Sequence, residues 1–461
     1  MAGSPPFQFC ERSLYSSTTC AMPQLDHCCL CSLLCPAVPV SDETSLERCT
    51  RRQAWQKQSL HAPHSIQDDS TLASFAREVV DLLDVDQSLL WVDAADVNTM
   101  RAAVTLAQQL GCTLHVGQGT GAEVVKRVTA SEGWLSTTLA EVSARADLVI
   151  TLGDSILSEA PLLADRFLHR AGAAAGEVVQ LEWMHIGSPS STPPKGCTQV
   201  IELSRTAWYA ELTDLLLALR SGQASLLENS PLTPLYAKLQ TARYAVWLWE
   251  TDEFVDSIDE LTVRRLAALA RWQTEQARGS LLCLDSNLGR VTAEETLLWL
   301  TGCKTTARWD GAQWHSPPSL REYSMDDWRQ AFAARLILRS VPTVEPLPDL
   351  DASILIVPAG QALTASAGDR RVVRVPAVGE SSCGLLFRGD RGTVATVRQA
   401  CAAGPAVGGA VESSRTSRQS ATAPSDESLA SAEALLRRAA KLREPSRIRL
   451  PNQSGSANHA H

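Results

Sequence analysis

No run of about eighteen apolar residues occurs anywhere in these 461 residues, so no segment is long enough to cross a bilayer as a helix. Apolar stretches such as Asp214-Leu-Leu-Leu-Ala-Leu219 and Ile354-Leu-Ile-Val357 are core-sized. A secretory leader is lacking too: Met1-Ala-Gly-Ser-Pro-Pro-Phe7 has neither a basic start nor an apolar centre, which predicts that the chain is not exported. Nor is there an excess of positive charge. The net charge of −9 argues against wholesale attraction to nucleic acid or an anionic membrane. Aromatic residues make up only 5% of the chain. The pair Trp247 and Trp249, and the group Trp309, Trp314 and Trp328, lack the interleaved basic residues of a base-stacking platform and read as packing.

Catalytic groupings are lacking as well. His61, His64, His115, His169, His185 and His315 form no His-x-x-x-His or His-Glu-x-x-His pair, so they read as satisfied core or surface residues. Ser155 has no Gly-x-Ser-x-Gly setting, and no Ser, His and acid set for acyl transfer can be nominated. The sequence therefore nominates no catalytic residue.

What is present is the material of a globular protein. An apolar share of 44% with 20% charged residues supports large buried cores, and the length allows about two to four domains. The thirteen cysteines are an odd number, and Cys112, Cys283, Cys303, Cys383 and Cys401 are scattered singly. That pattern predicts reduced thiols in a cytoplasmic protein, not a disulfide framework.

Short apolar strands alternate with amphipathic helices. Leu72, Phe75, Ala76, Val79, Val80 and Leu83 fall at helical spacing, and Ser88 to Asp93 reads as a buried strand. A helix capped by Asp96 or Asn98 should run to Leu110 and close on Gly111. Strands follow at 112–116, 147–153, 177–182, 198–203, 244–249, 280–284, 352–357 and 371–375, with helices at 137–146, 207–219, 259–277, 292–301 and 325–334. The alternation predicts an α/β fold with mainly parallel sheets. The chain divides into a disordered extension over 1–22, a Cys-rich segment over 23–70, a first α/β lobe over 71–230 and a second over 231–403. A disordered tail over 404–461 carries a helix across 429–442.

The clearest local feature is Cys28-x-x-Cys31-x-x-x-Cys35 with Cys49 downstream. Four soft sulfur ligands suit an iron–sulfur cluster or a structural zinc ion. A thiol-rich loop that binds nothing is the competing reading, and the neighbouring Cys29 leaves one ligand assignment open. Gly117-Gln-Gly119-Thr-Gly121 follows a strand and precedes a helix, but Ala122 stands where the dinucleotide fingerprint has its last glycine, which favours a plain loop over an anion cradle. Leu152-Gly153-Asp154-Ser155 lies where a parallel strand ends, the usual place of ligands in open sheets.

Three stretches coincide: the cysteine motif; Ala144-Arg-Ala-Asp-Leu-Val-Ile-Thr-Leu-Gly153 followed by Pro161; and Ser286-Asn-Leu-Gly-Arg-Val-Thr292 leading to Leu298-Trp-Leu-Thr-Gly302. Together, over residues 25–402, the chain resembles the B-subunit family of formylmethanofuran dehydrogenase, which includes a bacterial relative in the formyltransferase/hydrolase complex. The resemblance implies a molybdopterin-oxidoreductase-like fold. In the dehydrogenases it implies an iron–sulfur cluster, whose ligands match Cys28, Cys31, Cys35 and Cys49, and a pterin-bound molybdenum or tungsten. Two departures stand out: Cys35 runs into Pro36-Ala-Val-Pro39 in place of two acidic residues, and 116–123 contains no thiol to anchor a pterin-bound metal. The second departure argues against a molybdopterin metal centre and redox catalysis.

The resemblance then implies a non-redox, scaffold-like component in formaldehyde oxidation and one-carbon metabolism. The complex would move a formyl group from tetrahydromethanopterin to a methanofuran-type carrier and release formate, with the chemistry in formyltransferase and amidohydrolase-like partner subunits. A redox-active component of formylmethanofuran dehydrogenase and a zinc-stabilised interaction protein are the alternatives.

Overall fold

The structure is a computed structural model that describes residues 26–37, 49–59, 69–85, 87–117, 120–164, 181–189, 196–254, 257–317, 331–345, 347, 352–363, 371–379, 382–390, 394–397 and 431–442. The 1–22 extension, the helix expected at 325–330 and most of the tail lie outside the described residues, as do His61, His64, His169, Trp328 and Cys401.

Helix α1 (Thr50–Ser59) follows Cys49 directly, and α2 (Asp69–Leu83) carries the apolar stripe read from the sequence. Strand β1 (Ser88–Ala94) is buried along nearly its whole length, as a parallel strand covered on both faces must be. Helix α3 (Val97–Leu110) begins where Asp96 Oδ2 accepts the Asn98 amide at 3.1 Å and ends at Gly111 with φ 69°. Then come β2 (Thr113–Val116), α4 (Thr120–Glu132), α5 (Leu139–Arg145), β3 (Leu148–Leu152), β4 (Glu182–Gly187) and β5 (Gln199–Glu202). Helices α6 (Trp208–Ser221) and α7 (Thr233–Thr241) lead into β6 (Ala245–Glu250), α8 (Ser257–Gln276), β7 (Gly279–Leu284) and α9 (Leu288–Thr301). The remaining elements are β8 (Thr306–Trp309), β9 (Trp314–His315), β10 (Ala334–Arg339), β11 (Ile354–Pro358), β12 (Arg371–Val375), β13 (Gly384–Phe387), β14 (Val394–Val397) and α10 (Ala432–Leu442).

The α/β fold with parallel sheets is as read, but strand pairing does not follow the 71–230 and 231–403 division. A seven-stranded sheet runs β9-β8-β2-β1-β10-β11-β12, so strands from both stretches share it. A five-stranded, all-parallel sheet runs β5-β4-β3-β6-β7. The second sheet is thus inserted within the first, and the chain returns to its opening strands only after β7. The physical reason is burial: β1 is apolar on both faces, and β10 supplies the equally apolar neighbour, with Leu336 beside Leu90 and Leu338 beside Val92.

Each sheet is covered on both faces. Helices α2, α3, α9 and α10 bury one face of the seven-stranded sheet, and α10 settles Leu435, Leu436 and Ala439 against α2 and α3. Helices α4, α6, α7 and α8 cover the five-stranded sheet, where Trp247 and Trp249 are fully buried packing residues. On its other face lie α5 and the cysteine loop.

Two elements differ from the sequence reading. Most of the strand expected at 177–182 lies outside the described residues; the described strand β4 runs from Glu182 to Gly187, where Trp183, Met184, His185 and Ile186 are all buried. The helix expected to reach Ala334 gives way to β10, whose Arg-Leu-Ile-Leu core lies between β1 and β11.

Candidate functional site

The cysteine loop closes on itself: the Cys28 amide donates to the Cys35 carbonyl at 2.8 Å, and the Leu34 amide to the Cys31 carbonyl at 3.4 Å. Leu34 takes a left-handed φ of 44° to make this turn, a conformation that costs a residue with a Cβ about 1 kcal/mol. Cys31, Cys35 and Cys49 are buried together against the five-stranded sheet with Cys28 at their edge. Cys29 points the other way: its Sγ donates to the Val378 carbonyl at 3.3 Å, among residues of the seven-stranded side. Of the two adjacent cysteines, Cys28 is the one that lies beside Cys31, Cys35 and Cys49.

Burial, and then the neighbouring Cys35 and Cys28, push the Cys31 thiol well above its ordinary value. Burial likewise raises Cys28, against the pull of the Leu30 backbone and Arg52. The four thiols thus feel one another, although among the described residues no three His, Cys, Asp or Glu side chains converge as a metal site.

Helix α1 ties this loop to the carboxyl ends of the strands. Arg51 is 5% exposed; its Nε donates to the Leu30 carbonyl at 2.8 Å, and its guanidinium meets Glu159 and, at 3.4 Å, Glu345. Both sheets have a switch point where the strand order reverses, between β3 and β6 and between β1 and β10, the usual position of ligand crevices in open α/β sheets. Charged side chains occupy both. After β3, Gly153 adopts φ 85°; a Cβ there would overlap the Glu253 carboxylate, which accepts the Ser155 amide at 3.1 Å and its hydroxyl. Near the end of β1, Asp93 receives Arg339 from the end of β10 at 2.6 Å, and Arg339 also donates to the Glu345 carbonyl at 2.8 Å.

Glu345 joins the two points. Its carboxylate accepts Asn287 Nδ2 at 3.1 Å and Ser286 Oγ at 3.4 Å, from the turn that follows β7. The Ser286 amide donates to Glu250 at 2.6 Å, and Arg290 donates to Asp285 at 2.9 Å and lies 3.8 Å from Asp252. The network sets Asp93, Glu159, Glu250, Asp252, Asp285 and Glu345 against Arg51, Arg290 and Arg339, an excess of acid. Burial, reinforced by Asp285, pushes the fully buried Glu250 carboxyl well above the usual carboxylate range. Burial also raises Asp252. For Arg290, burial acts to lower the pKa, but Asp285, Asp252 and Glu345 outweigh it and the pKa is raised.

Gly117 and Gly121 of the glycine motif serve packing, and Gly119 lies outside the described residues. A Cβ at Gly117 would press on the Trp91 indole, and one at Gly121 would overlap the carbonyl oxygens of Thr251 and Phe254, so these glycines let β2 and α4 approach their neighbours. His115 hydrogen-bonds Thr306 at 2.8 Å and packs against the Trp91 ring at a 59° tilt, and burial lowers its pKa to about 3. His185 is held by Thr151 at 3.0 Å and lies 3.4 Å from Asp154.

The B subunit of the formyltransferase/hydrolase complex Fhc from Methylorubrum extorquens is 27% identical over 316 residues, 66% of this chain and 81% of that protein. This chain is similar to the Fhc B subunit along most of that protein's length. The crystal structure of the formyltransferase/hydrolase complex FhcABCD from Methylorubrum extorquens in complex with methylofuran contains a chain with the same fold. The TM-score is 0.62 at 23% identity, covering 83% of this chain and 97% of that one. No protein-family model matches the sequence.

Among the sequence-nominated residues, Cys28, Cys31, Cys35 and Cys49 share one buried cluster without converging as a metal site, and Ser155 joins the Glu253 contact across a switch point. Sequence reasoning missed Glu250, Asp285, Arg290, Arg339 and Glu345. Their signal was present, since Glu250, Asp285 and Arg339 stand at or just after the ends of buried apolar strands.

Proposed function

We propose that this chain is a non-redox, scaffold-like B subunit of a formyltransferase/hydrolase complex. That complex would transfer the formyl group of formyl-tetrahydromethanopterin to a methanofuran-type carrier and release formate, in the cytoplasm. Formyltransferase and amidohydrolase-like subunits are the partners this reading requires. The observation that carries it is the similarity to the Fhc B subunit along 81% of that protein. The reading draws further support from 116–123, where no thiol stands and Gly117 and Gly121 are committed to packing; a pterin-bound metal would lack its protein anchor there.

The cysteine loop fits a sulfur-ligated group by the chemistry of its donors. Cys28, Cys31, Cys35 and Cys49 would hold it, and a cationic centre would let the buried thiols ionise. Such a group supplies stability, or electron transfer if it is an iron–sulfur cluster, to the segment that Arg51 links to the switch points.

Anaerobic purification of the full chain tests the cofactor reading. Iron and sulfide with broad visible absorption support an iron–sulfur cluster, zinc without absorption supports the structural ion, and a metal-free folded chain overturns both. Molybdenum or tungsten with a pterin would overturn the non-redox reading.

A further inference from the structure

A cavity of about 360 Å³ opens at the surface where α3 meets α10. Arg101 and Thr105 on α3 line it together with Arg437 and Lys441 on α10. Ala102 and Ala440, both buried, form its base, and their short side chains leave the recess between the long cationic ones. Among the described residues no carboxylate lines it. Glu433, one turn back on α10, reaches Arg437 at 2.6 Å, and neither Arg101 nor Lys441 has an ion-pair partner among the described residues. Three cations against one carboxylate leave two positive charges at this spot, in a chain whose net charge is −9.

Helix electrostatics account for only part of this placement. Lys441 stands in the last turn of α10, where the macrodipole favours a cation. Arg101 stands in the first half of α3, where the macrodipole gives it no help. Like charges gathered around one recess repel, and a bound anion relieves that repulsion. The guanidinium fork matches phosphate oxygens in shape as well as charge, and a phosphate monoester carries close to two negative charges at neutral pH. Inorganic phosphate is much smaller than the cavity, which leaves room for the body of an ester. Thr105 Oγ1 donates to the Arg101 carbonyl at 2.9 Å and keeps its lone pairs to accept from a hydroxyl of that body. The acidic balance of the chain disfavours a long polyanion such as nucleic acid.

We propose that this cleft binds a small phosphate monoester as its dianion. Arg101, Arg437 and Lys441 donate to the phosphoryl oxygens, with Arg437 keeping Glu433 on its remaining donors, and the body of the ester rests on Ala102 and Ala440 beside Thr105. The occupant bridges two helices, so its binding also stabilises the docking of α10 on α3. The proposal goes beyond membership of a complex and does not depend on it.

Isothermal titration of the purified full chain with glycerol 3-phosphate, beside glycerol and inorganic phosphate, is the test. The ester is expected to bind several-fold more tightly than inorganic phosphate, and glycerol not at all. Arg101→Gln and Lys441→Gln should each weaken the ester about tenfold, the factor lost with one charge-assisted hydrogen bond. Both positions are exposed, so the circular dichroism spectrum of each variant should match that of the wild type. Arg220→Gln removes the same charge from the exposed last turn of α6 and should leave the affinity unchanged, which separates a built site from the general field. No binding of glycerol 3-phosphate to the folded wild type, equal binding of ester and inorganic phosphate, unchanged affinity in both cleft variants, or an equal loss in Arg220→Gln would overturn the proposal.

Discussion

At the scale of single residues, the molecule's unusual chemistry is buried charge. Arg339 is 1% exposed and pairs with Asp93 at 2.6 Å, so Arg339→Ala leaves an unpaired buried carboxylate and should lower stability by about 3–5 kcal/mol in urea denaturation. A loss under about 1 kcal/mol would mean that the switch-point pair is not part of the folded core. Glu250 gives a pH-dependent test. Its carboxyl pKa in the folded chain lies well above 4.5, the value for a free side chain, so the native state keeps a proton that the unfolded chain loses. That contribution is present at low pH and is lost as pH rises through and beyond the ordinary glutamate range. Glu250→Gln should therefore stabilise the chain relative to wild type more at pH 8 than at pH 5; the reverse order would contradict the assignment. The sequence shows only that Glu250, Asp285 and Arg339 stand at strand ends; their pairing was not legible, because Asp93, Glu250, Asp285, Arg339 and Glu345 stand far apart in the chain and only the topology gathers them. The cysteines were legible because four of them fall within 28–49, a local spacing that needs no tertiary knowledge.

At the scale of elements, most helices and strands could be read from apolar periodicity, and α3 even from its Asp96 cap and Gly111 stop. Strand β4 could not, since its Trp-Met-His-Ile core mixes polar and apolar residues that are all buried, and neither could β10, which ends in the buried Arg339. Helix α4 offers a test of packing against propensity. Alanine is a better helix former than glycine by about 1 kcal/mol, yet a Cβ at Gly121 would meet the Thr251 and Phe254 carbonyls. Gly121→Ala should thus destabilise the chain by about 1–3 kcal/mol, whereas a stabilised variant would show that α4 does not sit against this turn. Helix α10 is the second case: Leu435 and Leu436 are fully buried, and Leu435→Ala should cost about 2–4 kcal/mol by thermal or chemical unfolding.

At the scale of the whole molecule, the parallel α/β class was legible and the pairing was not, because β1 and β2 find their partners beyond an inserted sheet, as when Thr306 pairs with His115. A fragment spanning 71–230 should therefore fail to fold alone, since it lacks β10 for the seven-stranded sheet and β6 for the five-stranded one. The same interleaving sets the carboxyl ends of both sheets, the cysteine loop and α9 around one acidic network, and the proposed function gives this frame a scaffold role towards other subunits. The most direct test of that role is co-expression of the full chain with the formyltransferase and amidohydrolase-like subunits of a formyltransferase/hydrolase complex, followed by affinity capture and size-exclusion chromatography. The expected result is a stoichiometric complex whose formyl-transferring activity survives without molybdenum or tungsten. Elution of the well-folded chain alone, with none of these subunits bound, would contradict the account.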